Sequence, residues 1–409
     1  MPDPIAVEEH LRRILDAVPT LEPTQVRLLD ALGLATAEDV RSGIELPSFD
    51  NSAMDGYAVR HADVVAASAD APVHLPVIGT IGAGGQQQVT VEPGTAAKVM
   101  TGAPMPPGAD AVVPYEWTDH GAAEVRIDQA PTLGQHVRPA GEDVGLGDLL
   151  IEAGTVLTAR HLGLLAAVGH PTVRVRPRPR VVVISTGSEL REPGQPLGPD
   201  SIYDANSHLL AAAARDLGAV PYRVGLVPDE PEAFLEALRD QLVRADAVVT
   251  SGGVSMGDFD VVKAALRPLG VWFGPVAMQP GKPQGFGLLD AGNGVQVPIF
   301  TLPGNPVSSY LSFELFVKPA LRSMMGLPVE DRAPVTARLT HALTSPAGRR
   351  QYLRGAYDAE TGSVSPVGGP GSHLVGYLAE ADALIVVPED ATSVPAGANV
   401  EVLPMEPVR

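Results

Sequence analysis

The rhythm of apolar and polar positions changes several times along the chain. Val7, Leu11, Ile14, Leu15 and Val18 recur at helical spacing and predict an amphipathic helix over residues 6–18. A second short helix is expected over 24–32, ending near Gly33. From about 42 to 142 short apolar runs (Val73–Ile78, Ala96–Met100, Ala111–Pro114, Glu124–Ile127) alternate with Gly and Pro, which predicts an all-β segment. Helical texture returns around 145–178, with Leu162, Leu164, Leu165 and Val168 in one short helix. The β segment then reads as an insertion between two helical pieces.

Residues 179–326 alternate strand and helix. Strands are expected at Val181–Ile184, Tyr222–Leu226, Ala247–Val249 and Val297–Leu302, and helices at Ser207–Leu217, Glu230–Arg244, Phe259–Leu269 and Pro306–Met325. Fully apolar strands in that alternation predict a parallel sheet covered by helices on both faces. The last 80 or so residues return to short alternating strands, a small β domain or barrel. The fold class is therefore multidomain α/β plus β. Its expected parts are a discontinuous helical region (1–41 and 143–178), an inserted β domain (42–142), a parallel-sheet α/β domain (179–329) and a C-terminal β-barrel-like domain (330–409).

Composition narrows the chemistry. The chain has 409 residues, too many for one ordinary core. Its 43 glycines and 40 prolines are spread among apolar runs and mark turns rather than disorder. A net charge of −19 argues against a nucleic-acid partner and against an anionic membrane. An anionic small molecule then needs local cations or backbone N–H groups. The absence of cysteine removes disulfides, thiolate metal sites and a Cys nucleophile. The first ten residues carry neither a basic nor an apolar signal segment, and no run approaches the ~18 apolar residues of a membrane span. The expectation is a soluble, cytoplasmic protein.

Ligands of open α/β sheets bind outside the carboxyl ends of the strands. Three loops fall there: Ser185-Thr-Gly-Ser-Glu-Leu190, Thr250-Ser-Gly-Gly-Val-Ser-Met-Gly-Asp-Phe-Asp260 and Pro303-Gly-Asn-Pro-Val-Ser-Ser309. All are small, rich in hydroxyls and Gly, and lead toward a helix. Such loops expose backbone N–H groups to phosphate or another oxyanion. In the third, Asn305 suits the N-cap and Pro306 the first helical position. Any one alone reads equally as an ordinary strand-to-helix turn; three at one sheet edge favour a phosphate-bearing ligand. None is a P-loop or a dinucleotide-binding Gly-x-Gly-x-x-Gly turn. Glu189, Asp229 and Asp260 stand beside these loops and are candidates to hold Mg²⁺, whereas Asp258 reads as a helix cap. No pair of His at metal spacing occurs, and no Ser/His/Asp triad can be argued.

The β segment adds two loops with neither strand alternation nor helical spacing, Ser48-Phe-Asp-Asn-Ser-Ala-Met-Asp-Gly-Tyr57 and Met100-Thr-Gly-Ala-Pro-Met-Pro-Pro-Gly-Ala-Asp110. As composition alone, both could be structural loops. In order along the chain, however, Asn51–Arg60, Met100–Asp110, Gly141-Glu-Asp143, Ser185–Leu190, Ser251–Asp260 and Leu302–Ser308 resemble the successive motifs of the molybdopterin molybdenumtransferase family, to which the C-terminal region of gephyrin also belongs.

The resemblance implies insertion of molybdate into adenylylated molybdopterin, with release of AMP and molybdenum cofactor and dependence on a divalent cation such as Mg²⁺. It implies an elongated homodimer whose cleft lies between the α/β domain of one subunit and the inserted β domain of the other. By motif match, Glu189, Asp229 and Asp260 are expected near the metal and phosphates, and Asp55, Thr101 and Glu142 on the opposite wall, all six with catalytic roles. Thr186, Gly187, Ser251, Gly252, Gly253, Ser255, Lys282, Pro303, Gly304, Asn305 and Ser308 are expected to bind molybdopterin, joined by Arg354 in Leu-Arg-Gly and Ser372 in Gly-Ser-His. The chain departs from the family at Pro275 and Gln279, where lysine is common; Lys282 remains, and Lys263, Arg349 and Arg350 are candidates to replace the charge.

A molybdopterin adenylyltransferase would share only the α/β domain and would lack the two β-segment motifs. A gephyrin-like scaffold or binding protein would carry fused or basic linker regions. A weakly active paralogue, or insertion of the near-isosteric tungstate, remains open on sequence. Molybdopterin adenylyltransferase and apo-molybdoenzymes are the protein partners the reaction calls for.

Overall fold

The computed structural model describes residues 3–84, 89–253, 260–292, 294–329 and 333–405. The chain forms two compact units, one of Met1–Thr24, Gly33–Ala37 and Arg174–Arg409, the other of Gln25–Leu32 and Glu38–Val173.

The larger unit is built on a six-stranded sheet. Its order is Val220–Val227, Arg180–Thr186, Ala247–Ser251, Gln296–Leu302, Pro283–Asp290 and Trp272–Pro275. The first four strands are parallel. Their side chains divide by alternation. Val181, Val183, Ala247, Val249, Phe300 and Leu302 enter one core, with Leu210 and Ala214 of helix Asn206–Asp216 and Leu311, Phe313 and Phe316 beyond residue 306. Val182, Ile184, Val248, Val297 and Ile299 enter the other, with Phe234 and Leu238 of helix Pro231–Leu242 and Val262 and Leu266 of helix Val261–Leu266. Burial on both faces is why these strands read as unbroken apolar runs.

The expected parallel sheet is thus present but extended. Pro283–Asp290 and Trp272–Pro275 add two antiparallel strands at one edge. Gly285 shows why they escape a hydrophobic pattern: a Cβ there would stand 2.0 Å from Thr301 Oγ1 and 2.8 Å from the Phe273 ring. Close approach of neighbours replaces apolar alternation with Gly. The helix expected over 259–269 runs from Val261 to Leu266 with a 3₁₀ turn after it, and residue 259 lies outside the described residues. The long helix after residue 306 is continuous but contains a π-helical turn at Phe313–Val317.

In the C-terminal part, Val335–Leu339, Arg350–Asp358, Ser363–Pro366, Ala383–Val387 and Asn399–Pro404 pair in a ring and close a five-stranded barrel. Leu339, Val364, Ile385, Val387 and Val402 fill it. The N-terminal helix Val7–Ala17 packs its buried Val7 and Ile14 into the α/β core.

The second unit carries a five-stranded sheet in the order Ala111–Pro114, Gly56–Val59, Ala96–Val99, Val73–Ile81 and Glu124–Ile127. Tyr57 and Val59 face one core, and Ala58, Ala97 and Val99 another. Helix Ala159–Ala167 also belongs to this unit. The expected helix over 24–32 does not form; Thr24–Arg27 is a strand and Leu28–Ala31 a single 3₁₀ turn. Thr24 and Val26 are β-branched at period two, which suits a strand better than the helical reading. Among the described residues, no helix is long and apolar enough to cross a membrane.

Candidate active site

The three loops expected at the carboxyl ends of the parallel strands do converge. Thr186, Glu189, Ser251, Gly252, Gly304 and Asn305 line one cavity of about 260 Å³ in the larger unit. The loops touch directly: Gly252 N–H donates to Leu302 O at 3.2 Å. A Cβ on Gly304 would meet the Gly252 Cα at 3.6 Å. Small residues are what let two backbones approach this closely.

Two residues that sequence reasoning missed hold this arrangement. Asn206 donates through Nδ2 to Ser251 Oγ at 2.7 Å and to Gly304 O at 2.6 Å, so one amide ties the second loop to the third. Asp204 is buried and accepts from Ser185 Oγ at 3.1 Å and from Ser207 N–H at 3.0 Å. Ser207 Oγ also donates to it at 2.5 Å. Arg223 reaches the same network, donating from Nε to Ser207 Oγ at 2.8 Å and from Nη2 to Glu192 at 3.0 Å. The only sequence signal was an Asp-Ala-Asn just before a helix, which reads as ordinary capping.

Asn305 occupies the N-cap of its helix as expected, but its side chain makes no cap bond. It donates instead to Ser372 Oγ at 2.9 Å, while Ser372 O accepts from Val307 N–H at 3.0 Å. Arg354, 4% exposed, donates to Gly371 O at 3.2 Å and to Gly369 O. Its burial lowers its pKa from the ordinary value. Arg354 and Ser372 therefore place the segment 369–373, whose His373 lines the cavity and was also missed.

The carboxylates have defined jobs. Asp229 Oδ2 accepts from Ser188 N–H at 3.1 Å and fixes the first loop. Asp260 is the N-cap of Val261–Leu266 and accepts from Lys263 N–H at 3.3 Å, so the capping role expected of Asp258 is seen at Asp260. Asp258 and Ser255 lie outside the described residues. Glu189 lies on the cavity wall, beside Gly187. Among the described residues no three His, Asp or Glu converge as a metal-holding group.

Of the remaining expected residues, Gly253 adjoins Gly252, Pro303 is buried next to Gly304 in the chain, and Ser308 is buried with its carbonyl accepting from Ser312 Oγ at 2.7 Å. Lys282 is not among the cavity residues; its carbonyl accepts from Val276 N–H at 2.7 Å. Where the family commonly carries lysine, Pro275 is buried in an edge strand, and Gln279 Oε1 meets the Arg349 guanidinium at 3.5 Å. Arg350 is committed to Glu8 and to Glu389, the latter at 3.3 Å.

In the second unit Asp55 and Thr101 meet. Thr101 donates to Asp55 Oδ1 from its backbone N–H at 2.7 Å and from its hydroxyl at 2.9 Å. These two donors hold the Asp55 carboxyl below the usual carboxylate range. The surrounding loops are sewn together: Gly102 N–H donates to Ser52 O at 2.8 Å, Met105 N–H to Asp50 O at 2.9 Å, and Ala140 N–H to Asp50 Oδ1 at 2.8 Å. That last bond joins the loop carrying Glu142, whose N–H donates to Pro139 O at 3.3 Å. Gly56 is dictated by packing, since a Cβ would stand 2.1 Å from the Val113 carbonyl oxygen.

Residues 5–169 match the family model of the MoeA N-terminal region (domain I and II), residues 182–323 that of a probable molybdopterin binding domain, and residues 336–405 that of the MoeA C-terminal region (domain IV). Molybdopterin molybdenumtransferase 2 of Mycobacterium tuberculosis is 46% identical over 404 residues, spanning 97% of this chain and 98% of that protein. Molybdopterin molybdenumtransferase of Bacillus subtilis is 34% identical over 408 residues, spanning 98% and 94%. The crystal structure of a molybdopterin biosynthesis MoeA protein from Pyrococcus horikoshii superposes with a TM-score of 0.85 at 33% identity, covering 99% of this chain and 100% of that one. Three family regions in order and full-length relatives at this identity make the chain a member of the molybdopterin molybdenumtransferase (MoeA) family.

Proposed function

We propose that this protein is a molybdopterin molybdenumtransferase that inserts molybdate into adenylylated molybdopterin, releasing AMP and molybdenum cofactor. The observation that carries the proposal is the cavity where three Gly- and hydroxyl-rich loops meet at the carboxyl edge of the sheet. Thr186 and Ser251 offer hydroxyls to a phosphate ester, and Gly252 and Gly304 leave the wall free of side chains that would block it. The protein's task is to hold two oxyanions close in one orientation.

Mg²⁺ belongs to this reading. It is bound in phosphate sites through one or two carboxylates plus substrate oxygens rather than a protein cage. Glu189 on the wall, with Asp229 tied to the same loop through Ser188, fits that donor set. When bound, the cation would neutralise charge on the phosphoanhydride. Arg349, beside Gln279, is the proposed replacement for the family's lysine charge in binding molybdate. Asp55, Thr101 and Glu142 complete the machinery in a homodimer. The setting is the cytosol, with an adenylyltransferase upstream and apo-molybdoenzymes downstream.

Incubation of the purified protein with adenylylated molybdopterin, Mg²⁺ and molybdate should release AMP and reconstitute an apo-molybdoenzyme, and EDTA should stop both. Tungstate in place of molybdate reads metal choice. Absence of AMP release and of reconstitution at millimolar molybdate rejects the proposal. Mixing inactive Asp55→Ala and Glu189→Ala proteins tests the shared homodimer: activity should return on subunit exchange and should not if each chain works alone.

A further inference from the structure

The cavity has an unusual charge inventory for a site that takes a phosphate. Its described lining holds two acids, Glu189 and Asp204, and neither lysine nor arginine. Among the described lining residues, His373 alone is of a type that can carry positive charge.

Its placement is built from several sides. The buried Arg354 grips the carbonyls of Gly369 and Gly371. Ser372 is bonded to Asn305 through its hydroxyl and to Val307 through its carbonyl. His373 O accepts from Val375 N–H at 2.9 Å, at the start of helix Val375–Glu380. The imidazole edge packs against Gly371, where a Cβ would sit 3.1 Å from His373 Cε1. The backbone on each side is thus fixed, and the ring stands at the cavity while the residue remains exposed at its mouth.

We propose that His373 is the anion contact of this cavity, donating an imidazole N–H to a phosphate oxygen of the bound molybdopterin nucleotide. The proposal rests on the function given above and assigns this residue a binding role within it. An imidazole can donate in either protonation state, and near Glu189 and Asp204 a single donor of this kind offsets repulsion that hydroxyls alone do not.

The test is a titration of wild type, His373→Ala and His373→Lys with inorganic pyrophosphate, alongside steady-state kinetics with adenylylated molybdopterin. His373→Ala should weaken pyrophosphate binding and raise KM by about ten-fold, the cost of one charge-assisted contact. The kcat should change little, and the thermal midpoint should match wild type. His373→Lys should recover most of the loss. Equal pyrophosphate affinity in wild type and His373→Ala overturns the assignment, as does a lysine variant no better than alanine. If wild type shows no turnover, the function proposal fails, and the pyrophosphate comparison still decides the role of His373.

Discussion

Asn206 offers the sharpest test of how the cavity is held. Its Nδ2 carries two protons and spends both, on Ser251 Oγ at 2.7 Å and Gly304 O at 2.6 Å. Asn206→Ala removes both bonds. At about 0.5–1.5 kcal/mol net each, the loss is ~1–3 kcal/mol, and it falls on the two loops that must be ordered around substrate. At about 1.4 kcal/mol per factor of ten, kcat/KM should fall by roughly 5- to 140-fold. Asn206→Asp is the stricter perturbation. It keeps the shape but turns a carboxylate oxygen toward the Gly304 carbonyl, two acceptors with no proton between them; Ser251 can still donate. The aspartate variant should therefore be less active than alanine. The assay is AMP release under varied adenylylated molybdopterin, with thermal unfolding to show that each variant is folded. An alanine variant within about two-fold of wild type, or an aspartate variant more active than alanine, would refute the clasp.

Four further outcomes follow from particular contacts. His10 is 2% exposed, wedged between Trp272 at 5.1 Å and Phe316 at 4.7 Å, and burial followed by the Arg13 charge lowers its pKa to about 4. Between pH 6.5 and 4 the unfolded chain binds a proton that the folded chain refuses, so stability present at neutral pH should fall by ~3 kcal/mol as pH drops through that window. His10→Leu should flatten this loss in urea unfolding at pH 7.5, 5.5 and 4.5, and parallel curves for the two proteins would reject it. Gly56→Ala should cost about 3 kcal/mol or more, read as a lowered thermal midpoint, because its Cβ would overlap the Val113 carbonyl at 2.1 Å. Thr101→Val removes one of the two donors that depress the Asp55 pKa, so a carboxyl NMR titration should show that pKa rising toward the ordinary range. Arg349→Ala should raise the KM for molybdate by about ten-fold while leaving that for adenylylated molybdopterin unchanged, as measured by AMP release.

The parts of the fold legible in the sequence are those whose physics is local. Val181–Ile184, Ala247–Val249 and Val297–Leu302 read as strands because both faces are buried, and their ends mark the three loops. Trp272–Pro275 and Pro283–Asp290 were hidden because close packing there demands Gly, which erases alternation. The site was legible in the same uneven way. Glu189, Ser251 and Asn305 announce themselves by loop chemistry. Asn206 and His373 do not, because what they do depends on residues 45 to 188 positions away: Asn206 on Ser251 and Gly304, and His373 on the cavity that Ser185 and Thr186 help to form. Asp204 does not either, because its partners Ser185 and Ser207 make it look like an ordinary helix cap.

The stretch Asn51–Arg60 shows why recognising a family and locating its chemistry are separate achievements. Asn51, Ser52 and Gly56–Val59 are buried. Ser52 Oγ donates to Met54 O at 2.6 Å and Tyr57 OH to Gly121 O at 2.9 Å, so these side chains fold the loop back on itself and anchor it. Only Asp55 is exposed within the stretch, and its carboxylate accepts from the Thr101 backbone N–H and hydroxyl. Nine residues thus serve to present one carboxylate, with its proton affinity lowered by two donors from another loop. A motif of this kind is diagnostic because steric demands fix most of its letters, and the side chain that the packing leaves outside is the one to test for chemistry.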